Sequence, residues 1–245
     1  MPNLPSLVEM LKSGMHFGHK SSRWHPKMAE YIFGEKSGIH IVNLENTQKQ
    51  LEKALVCIKD IVARGGIVLF VGTKPQAKKP IDDAATDCGM PFVNERWLGG
   101  TLTNYHQIKK ELKELKTLKD QRDKGELRKY TKKERLLIDR KIIDMQRKFG
   151  GIENLEKTPE AVLVIDITTE KTAVREARAV GAKIIALCDT NVNPKLIDYI
   201  IPGNDDAVKA IELVLKLAAE AIKEGKASPI NVEKIQEKQK TNNVI

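Results

Sequence analysis

The chain has 245 residues, with 42 Lys plus Arg against 33 Asp plus Glu, a net charge of +9, and 41% of it is apolar. That is enough for one large domain or two modest ones around a buried core. No apolar run approaches a membrane span, the N-terminus lacks a basic-then-apolar secretory layout, and Cys57, Cys88 and Cys188 lie far apart, so a soluble protein of a reducing compartment is expected.

Taken in chain order, the first feature is a histidine cluster, His16, His19 and His25, with His40 further on. Its H-x-x-H-x5-H spacing is compatible with a metal, but no Cys or nearby carboxylate completes a tetrahedral set. Lys20, Arg23 and Lys27 are interleaved with these imidazoles beside Trp24, a pattern better suited to RNA backbone contact and stacking. Thr47-Gln48-Lys49-Gln50 reads as a capping box opening an amphipathic helix to Arg64, stopped by Gly65-Gly66. Ile67 to Val71 is a continuous apolar run, and Pro75 can open the helix after it. Pro91-Phe92-Val93 is a shorter strand candidate. In Arg96-Trp97-Leu98-Gly99-Gly100-Thr101, the glycines allow a sharp turn and Trp97 is expected to anchor it, with direct RNA contact the alternative.

Between Tyr105 and Phe149 there are 16 Lys plus Arg and 8 Asp plus Glu, a net of +8, leaving 26 cations and 25 anions elsewhere. Nearly all the excess charge belongs to this one segment. Ile108, Leu112, Leu115 and Leu118 form one helical stripe, and Ile138, Ile142, Met145 and Phe149 form another. Gly125 breaks the two, Thr131 with Glu134 forms a capping box, and Asn104 is a candidate cap for the first arm. Two arms of roughly 18–19 residues extend about 27–28 Å and predict an antiparallel coiled-coil finger. A two-to-one cation excess points to an anionic partner, of which phosphate is the commonest. A merely solvated helix pair is the blander reading.

Beyond a flexible return at Gly150-Gly151, apolar runs recur at Val162–Ile165, Lys183–Cys188 and Asp198–Ile201, as in a parallel sheet covered on both faces. Thr168 or Thr169 can cap a helix from Glu170 to Val180, and Asn204 precedes a long helix from Asp205 to about Lys223, with acids in its first turn. The expected fold is a three-layer α/β/α sandwich with right-handed crossovers, interrupted by the finger. Its organisation would be a discontinuous α/β body over 1–104 and 150–227, a basic hairpin over 105–149, and a polar, flexible tail over 228–245.

Catalytic signatures are weak. Val71-Gly72-Thr73-Lys74 ends a strand as phosphate loops do, yet neither G-x-x-x-x-G-K-[ST] nor G-x-G-x-x-G is present. Asp166, Asp189, Asp205 and Asp206 follow strand ends, so convergence on a magnesium ion and simple capping both account for them. Cys188 reads as buried filler rather than a nucleophile. No catalytic constellation, cofactor or metal site is expected.

Several long stretches carry a family resemblance. Residues 10–47, with Met15-His16-Phe17-Gly18-His19-Lys20, Arg23-Trp24-His25-Pro26-Lys27-Met28 and Gly38-Ile39-His40-Ile41, resemble the opening of the bacterial small-subunit ribosomal protein S2 family. Phe70-Val71-Gly72-Thr73-Lys74, Asn94-Glu95-Arg96-Trp97-Leu98-Gly99-Gly100-Thr101-Leu102-Thr103-Asn104, Asp189-Thr190-Asn191 and Ile201-Pro202-Gly203-Asn204-Asp205-Asp206-Ala207 match in the same order. The resemblance spans about residues 4–225 and implies a flavodoxin-like sandwich with a protruding coiled coil. It also implies a non-catalytic place in the small ribosomal subunit, in the bacterial cytoplasm with an organellar ribosome as the alternative, bound to ribosomal RNA and neighbouring proteins, including a large S1-type RNA-binding protein. No membrane and no obligate homo-oligomer are expected. The RNA-binding candidates are Lys109, Lys110, Lys113, Lys116, Lys119, Arg122, Arg128, Lys129, Lys132, Lys133, Arg135, Arg140, Lys141, Arg147 and Lys148, with Arg23, Trp24, Lys27 and Arg96 as secondary ones. Contacts would be mainly to phosphate and ribose. A phosphate-ligand enzyme and a free RNA-binding regulator are the alternatives.

Overall fold

The computed structural model describes residues 4–229. The expected tail falls almost wholly outside them. Five short strands form a parallel sheet: β4 (Val68–Val71), β5 (Phe92–Val93), β6 (Ala161–Ile165), β7 (Lys183–Cys188) and β8 (Tyr199–Pro202). Their order is β5-β4-β6-β7-β8, so the second strand of the sheet lies outside the first, the 2-1-3-4-5 order of flavodoxin-like sheets. Alternation along each strand builds two cores. Val68, Phe70, Leu163, Ile185 and Leu187 face the helices α2 (Leu44–Ala63), α3 (Pro75–Cys88) and α7 (Val208–Ala227). Leu69, Val71, Val162, Val164, Ile184 and Ala186 face the other way, toward α6 (Lys171–Ala179) and the helix pair α4 (Tyr105–Asp123) and α5 (Lys132–Phe149). Each large side chain fully buried here, such as Phe70, is worth about 1.5–3 kcal/mol.

Before this sheet come α1 (Leu7–Lys12) and a small antiparallel sheet the sequence did not announce: β1 (Phe17–Lys20), β2 (Ile32–Lys36) and β3 (Ile39–Val42), in the order β1-β3-β2. Both pairings contain register irregularities, which blur the period-2 pattern that betrays a strand.

Several helix starts differ from expectation. Asn43, not Thr47, caps α2, accepting from the amides of Glu45 and Asn46. Thr47 lies one turn inside and donates its hydroxyl to the carbonyl of Pro202 at 2.7 Å. Thr168 and Thr169 do not cap α6; both hydroxyls donate to the Asp166 carboxylate instead. The last helix begins at Val208, not Asp205: Asn204 Oδ1 accepts from the amides of Asp206 and Ala207, and the acids sit before the helix rather than in its first turn. Asn104 stands at the head of α4 without a side-chain cap, whereas the Thr131–Glu134 box is present at α5. Nor is Gly151 a flexible return. A Cβ there would lie 2.2 Å from the carbonyl oxygen of Phe92, so glycine is needed for the chain to pass β5.

Candidate nucleic-acid interface

The loop that leads into the helix pair is fixed to the body by a buried carboxylate. Glu176, on the inner face of α6, accepts the Trp97 indole N–H at 3.0 Å and the Gly100 amide at 2.8 Å on one oxygen. Its other oxygen accepts the Leu102 amide at 3.0 Å and both the amide and hydroxyl of Thr103 at 3.2 Å. Burial pushes this carboxyl up, but the donors from Trp97, Leu102, Gly100 and Thr103 outweigh burial and hold it below the ordinary range. Gly100, at φ 91°, makes the turn that brings these donors together. Trp97 is thus an anchor, and the loop it anchors leads directly into α4. Tyr105, the first residue of α4, also donates its hydroxyl to the Leu155 carbonyl. The sequence reading missed Glu176, although a lone carboxylate amid Ala173, Val174 and Ala177 on the apolar stripe of α6 is the local sign of it.

Along α4 and α5 the predicted stripes are the inner seam: Ile108, Leu112, Leu115, Ile142, Met145 and Phe149 are buried. The outward cations divide into two groups. Lys119 pairs with Glu153 at 2.8 Å, Arg147 with Glu95 at 3.0 Å and Arg122 with Asp123 at 3.2 Å, while Lys141 pairs with Glu114 and Lys148 with Asp144. By contrast, Lys109, Lys110, Lys113 and Lys116 on α4 and Lys132, Lys133 and Arg140 on α5 are exposed, with no carboxylate oxygen within 4.0 Å among the described residues. Lys109, Lys113 and Lys116 fall at i, i+4 and i+7, one row about 10.5 Å long. Lys129 lies over the Tyr130 ring at 5.4 Å in the turn that also contains Arg128, and Arg135 is half-buried with an Nε lacking an acceptor.

The secondary candidates are exposed but scattered. Arg96 follows Glu95, which joins Lys78 of α3 to Arg147 of α5, so it stands at the base of the helix pair. Arg23, Trp24 and Lys27 occupy the segment between β1 and β2. The Trp24 ring lies 5.2 Å from that of buried His40. No hydrogen bond or ion pair links these three to the helix pair among the described residues.

At the strand C-termini three of the four aspartates converge, on a lysine. Lys74, just after β4, places its ammonium 2.9 Å from Asp166, 2.7 Å from Asp205 and 2.7 Å from Asp206. Burial alone would lower the lysine pKa, yet the three carboxylates raise it well above its usual value. The crevice between β4 and β6, where the strand order reverses and doubly wound sheets take their ligands, therefore holds the chain's own cation. The Thr73 amide, where a phosphate loop would offer an N–H to a ligand, donates to Glu170 at 2.7 Å. Asp189 pairs elsewhere: its carboxylate lies 2.6 Å from His19 Nδ1 and accepts the His19 amide at 2.9 Å. The histidine cluster thus gains a carboxylate 170 positions away that spacing alone did not reveal. Among the described residues no three His, Cys, Asp or Glu side chains are arranged to hold a metal ion, and no helix is long and apolar enough to cross a membrane.

The His19–Asp189 hydrogen bond raises the His19 pKa, with burial opposing it and the charges of Asp189, Asp205 and Asp206 assisting. A raised histidine stabilises fully below the unfolded value near 6.5, and the contribution disappears as pH rises through the folded value. His19→Gln is therefore expected to cost about 1 kcal/mol or less at pH 5.5, after solvent screening, and still less at pH 9. Urea titrations of both proteins at the two pH values measure this, and a deficit that grows with pH contradicts the pairing.

Fold and surface together define an α/β scaffold with its usual ligand crevice closed from within and a row of lysines, unpaired among the described residues, displayed on a helix pair. Residues 10–225 match the family model described as Ribosomal protein S2, and the chain belongs to that family, one of ribosomal proteins and not of enzymes. Among similar proteins, one from Francisella tularensis subsp. novicida is 48% identical over 216 residues, 88% of this chain and 90% of the relative. Another, from Mycobacteroides abscessus, is 46% identical over 220 residues, covering 90% and 79% respectively. A third, from Jannaschia sp., is 44% identical over 225 residues, covering 92% and 82%. All three bear the name small ribosomal subunit protein uS2.

Proposed function

We propose that this chain is a structural component of the small subunit of a bacterial-type cytoplasmic ribosome, bound to ribosomal RNA chiefly through phosphates and riboses. The α4–α5 pair acts as a coiled-coil finger laid along the RNA, reading A-form shape more than base sequence. The observation that carries this reading is the row Lys109, Lys113 and Lys116, whose charges no carboxylate among the described residues neutralises while neighbouring cations are paired. Counterions released from phosphates reward such cations. Support for a protein neighbour comes from α5, where Leu136, Leu137 and Ile143 are 51%, 54% and 64% exposed. The family resemblance adds docking of a large S1-type RNA-binding protein.

Changing Lys109, Lys113 and Lys116 together to Gln should flatten the dependence of log K on log salt by about 2–2.7 units, at about 0.7–0.9 per phosphate contact. The same change at the paired Lys119, Lys141 and Lys148 should flatten it less. Filter binding of transcribed small-subunit RNA across a salt series measures both slopes, and equal slopes in all three proteins remove the α4 row from RNA contact. A free RNA-binding regulator is the competing reading, and sucrose-gradient sedimentation separates the two, since a structural component travels with the small subunit.

A further inference from the structure

The helix α6 turns Glu176 inward, and its other side is cationic and unassigned. Lys171, Arg175 and Arg178 are exposed at i, i+4 and i+7, a run of about 10.5 Å. All three line a groove of about 540 Å³ between α6 and residues 191–196. Lys195 meets Arg178 in an adjoining hollow, where Asp198 is taken up by Lys183 and by the Ile184 amide. No acidic residue lines the groove itself, and none of these four cations has a carboxylate oxygen within 4.0 Å among the described residues. One wall also contributes Asn191, whose Oδ1 is shielded from water and accepts no hydrogen bond among the described residues. An acceptor left in that state is costly, and a donor brought into the groove relieves the cost once the amide rotates toward it. Leu196, 41% exposed, gives the opposite lip an apolar edge.

We propose that this groove is a second RNA site, separate from the α4 row, in which Lys171, Arg175, Arg178 and Lys195 hold successive phosphates and Asn191 accepts a ribose 2′-hydroxyl. The proposal rests on the RNA-binding reading above. RNA suits the groove better than an acidic protein segment does, because one strand of RNA supplies both the phosphates the cations need and the hydroxyl donor the asparagine lacks. Carboxylate side chains supply only acceptors, and the donors of an acidic segment are backbone N–H groups, which its own secondary structure mostly takes up.

The test uses the full-length chain and transcribed small-subunit RNA, with DNA of the same sequence as the second probe. The variant Lys171→Gln/Arg175→Gln/Arg178→Gln should flatten the salt slope by about 2–2.7 units. It should do so additively with the α4 triple variant, and hydroxyl-radical footprints should show the two variants losing protection at different RNA segments. Asn191→Ala should leave the slope unchanged and reduce the preference for RNA over DNA about three- to tenfold, the value of one hydrogen bond. If the α6 variant keeps the wild-type slope while the α4 variant flattens, the groove is not an RNA site although the RNA reading survives. If the α6 variant flattens and the α4 variant does not, the groove stands and the α4 row falls. Crosslinks from position 175 or 178 to an acidic protein in assembled subunits, with no RNA crosslink, overturn the proposal in favour of a protein occupant.

Discussion

Lys74→Met is expected to lower the unfolding free energy by ~3–5 kcal/mol at pH 8, the usual cost of removing one partner from a buried charge cluster. Asp166 and Asp205 are almost fully buried, and the lysine ammonium is the one cation within 4.0 Å of either among the described residues. Even with Lys74 present, burial and the neighbouring charge of Asp166 push the Asp205 carboxyl up to about 7. The sign of the pH dependence follows. A carboxyl raised in the folded state is a burden that accrues as pH climbs from the unfolded value near 4 through the folded one. Without the lysine that burden grows and extends to higher pH. The deficit of the variant should therefore be smallest near pH 5 and largest near pH 8, as read from urea midpoints at each pH. A deficit that stays flat over this range would show that the cluster does not titrate with folding.

Glu176→Ala should cost about as much, ~3–5 kcal/mol, by a different route. It leaves four N–H groups and a hydroxyl in a mostly buried loop without their acceptor, each worth roughly 1–3 kcal/mol when water cannot replace it, less where water enters. Glu176→Gln retains one oxygen and should cost less, about 1–3 kcal/mol. Because the native carboxyl is held low, its stabilisation is complete above the unfolded value near 4.5 and is lost as pH falls through the folded one. The more specific signature is local. Amide exchange at Gly100, Leu102 and Thr103 should accelerate in the alanine variant before the sheet opens. Amides there that stay as protected as in the wild type would mean another group fixes the loop.

These two sites mark the boundary of what could be read from the chain. Parallel strands were legible because both of their faces are buried: Lys183–Cys188 was found to the residue, and Ala161–Ile165 within one. The seam of α4 and α5 was legible for the analogous reason, since 3.6-residue periodicity survives in a helix that is polar on its remaining faces. Caps were half legible. Thr131 and Thr47 both head an S/T-x-x-E/Q pattern, but only the first lies outside a helix; at α2 Asn43 takes the cap, and the Thr47 hydroxyl goes to a carbonyl 155 residues away. The β1–β3 sheet was hidden by its brevity, its bulges and its histidines. Lys74 with Asp205, and Glu176 with Gly100, are joined across 131 and 76 positions, and no window of the sequence contains both partners. The division of the α4–α5 lysines into paired and unpaired likewise depends on which acids the fold brings near.

The clamp at Glu176 also sets an order of events in time. During synthesis Gly100 emerges 76 residues ahead of the side chain that fixes it. At about 5–20 residues per second, roughly 4–15 s separate the loop from its clamp, and roughly 1–5 s separate the completed α5, ending at Phe149, from Glu176. Until α6 docks, the loop before α4 lacks that acceptor, and ties such as Tyr105 to the Leu155 carbonyl and Arg147 to Glu95 are left to orient the pair. A chain truncated before residue 176 would thus carry every lysine of the α4–α5 pair and present them over a wider range of angles to a rigid target.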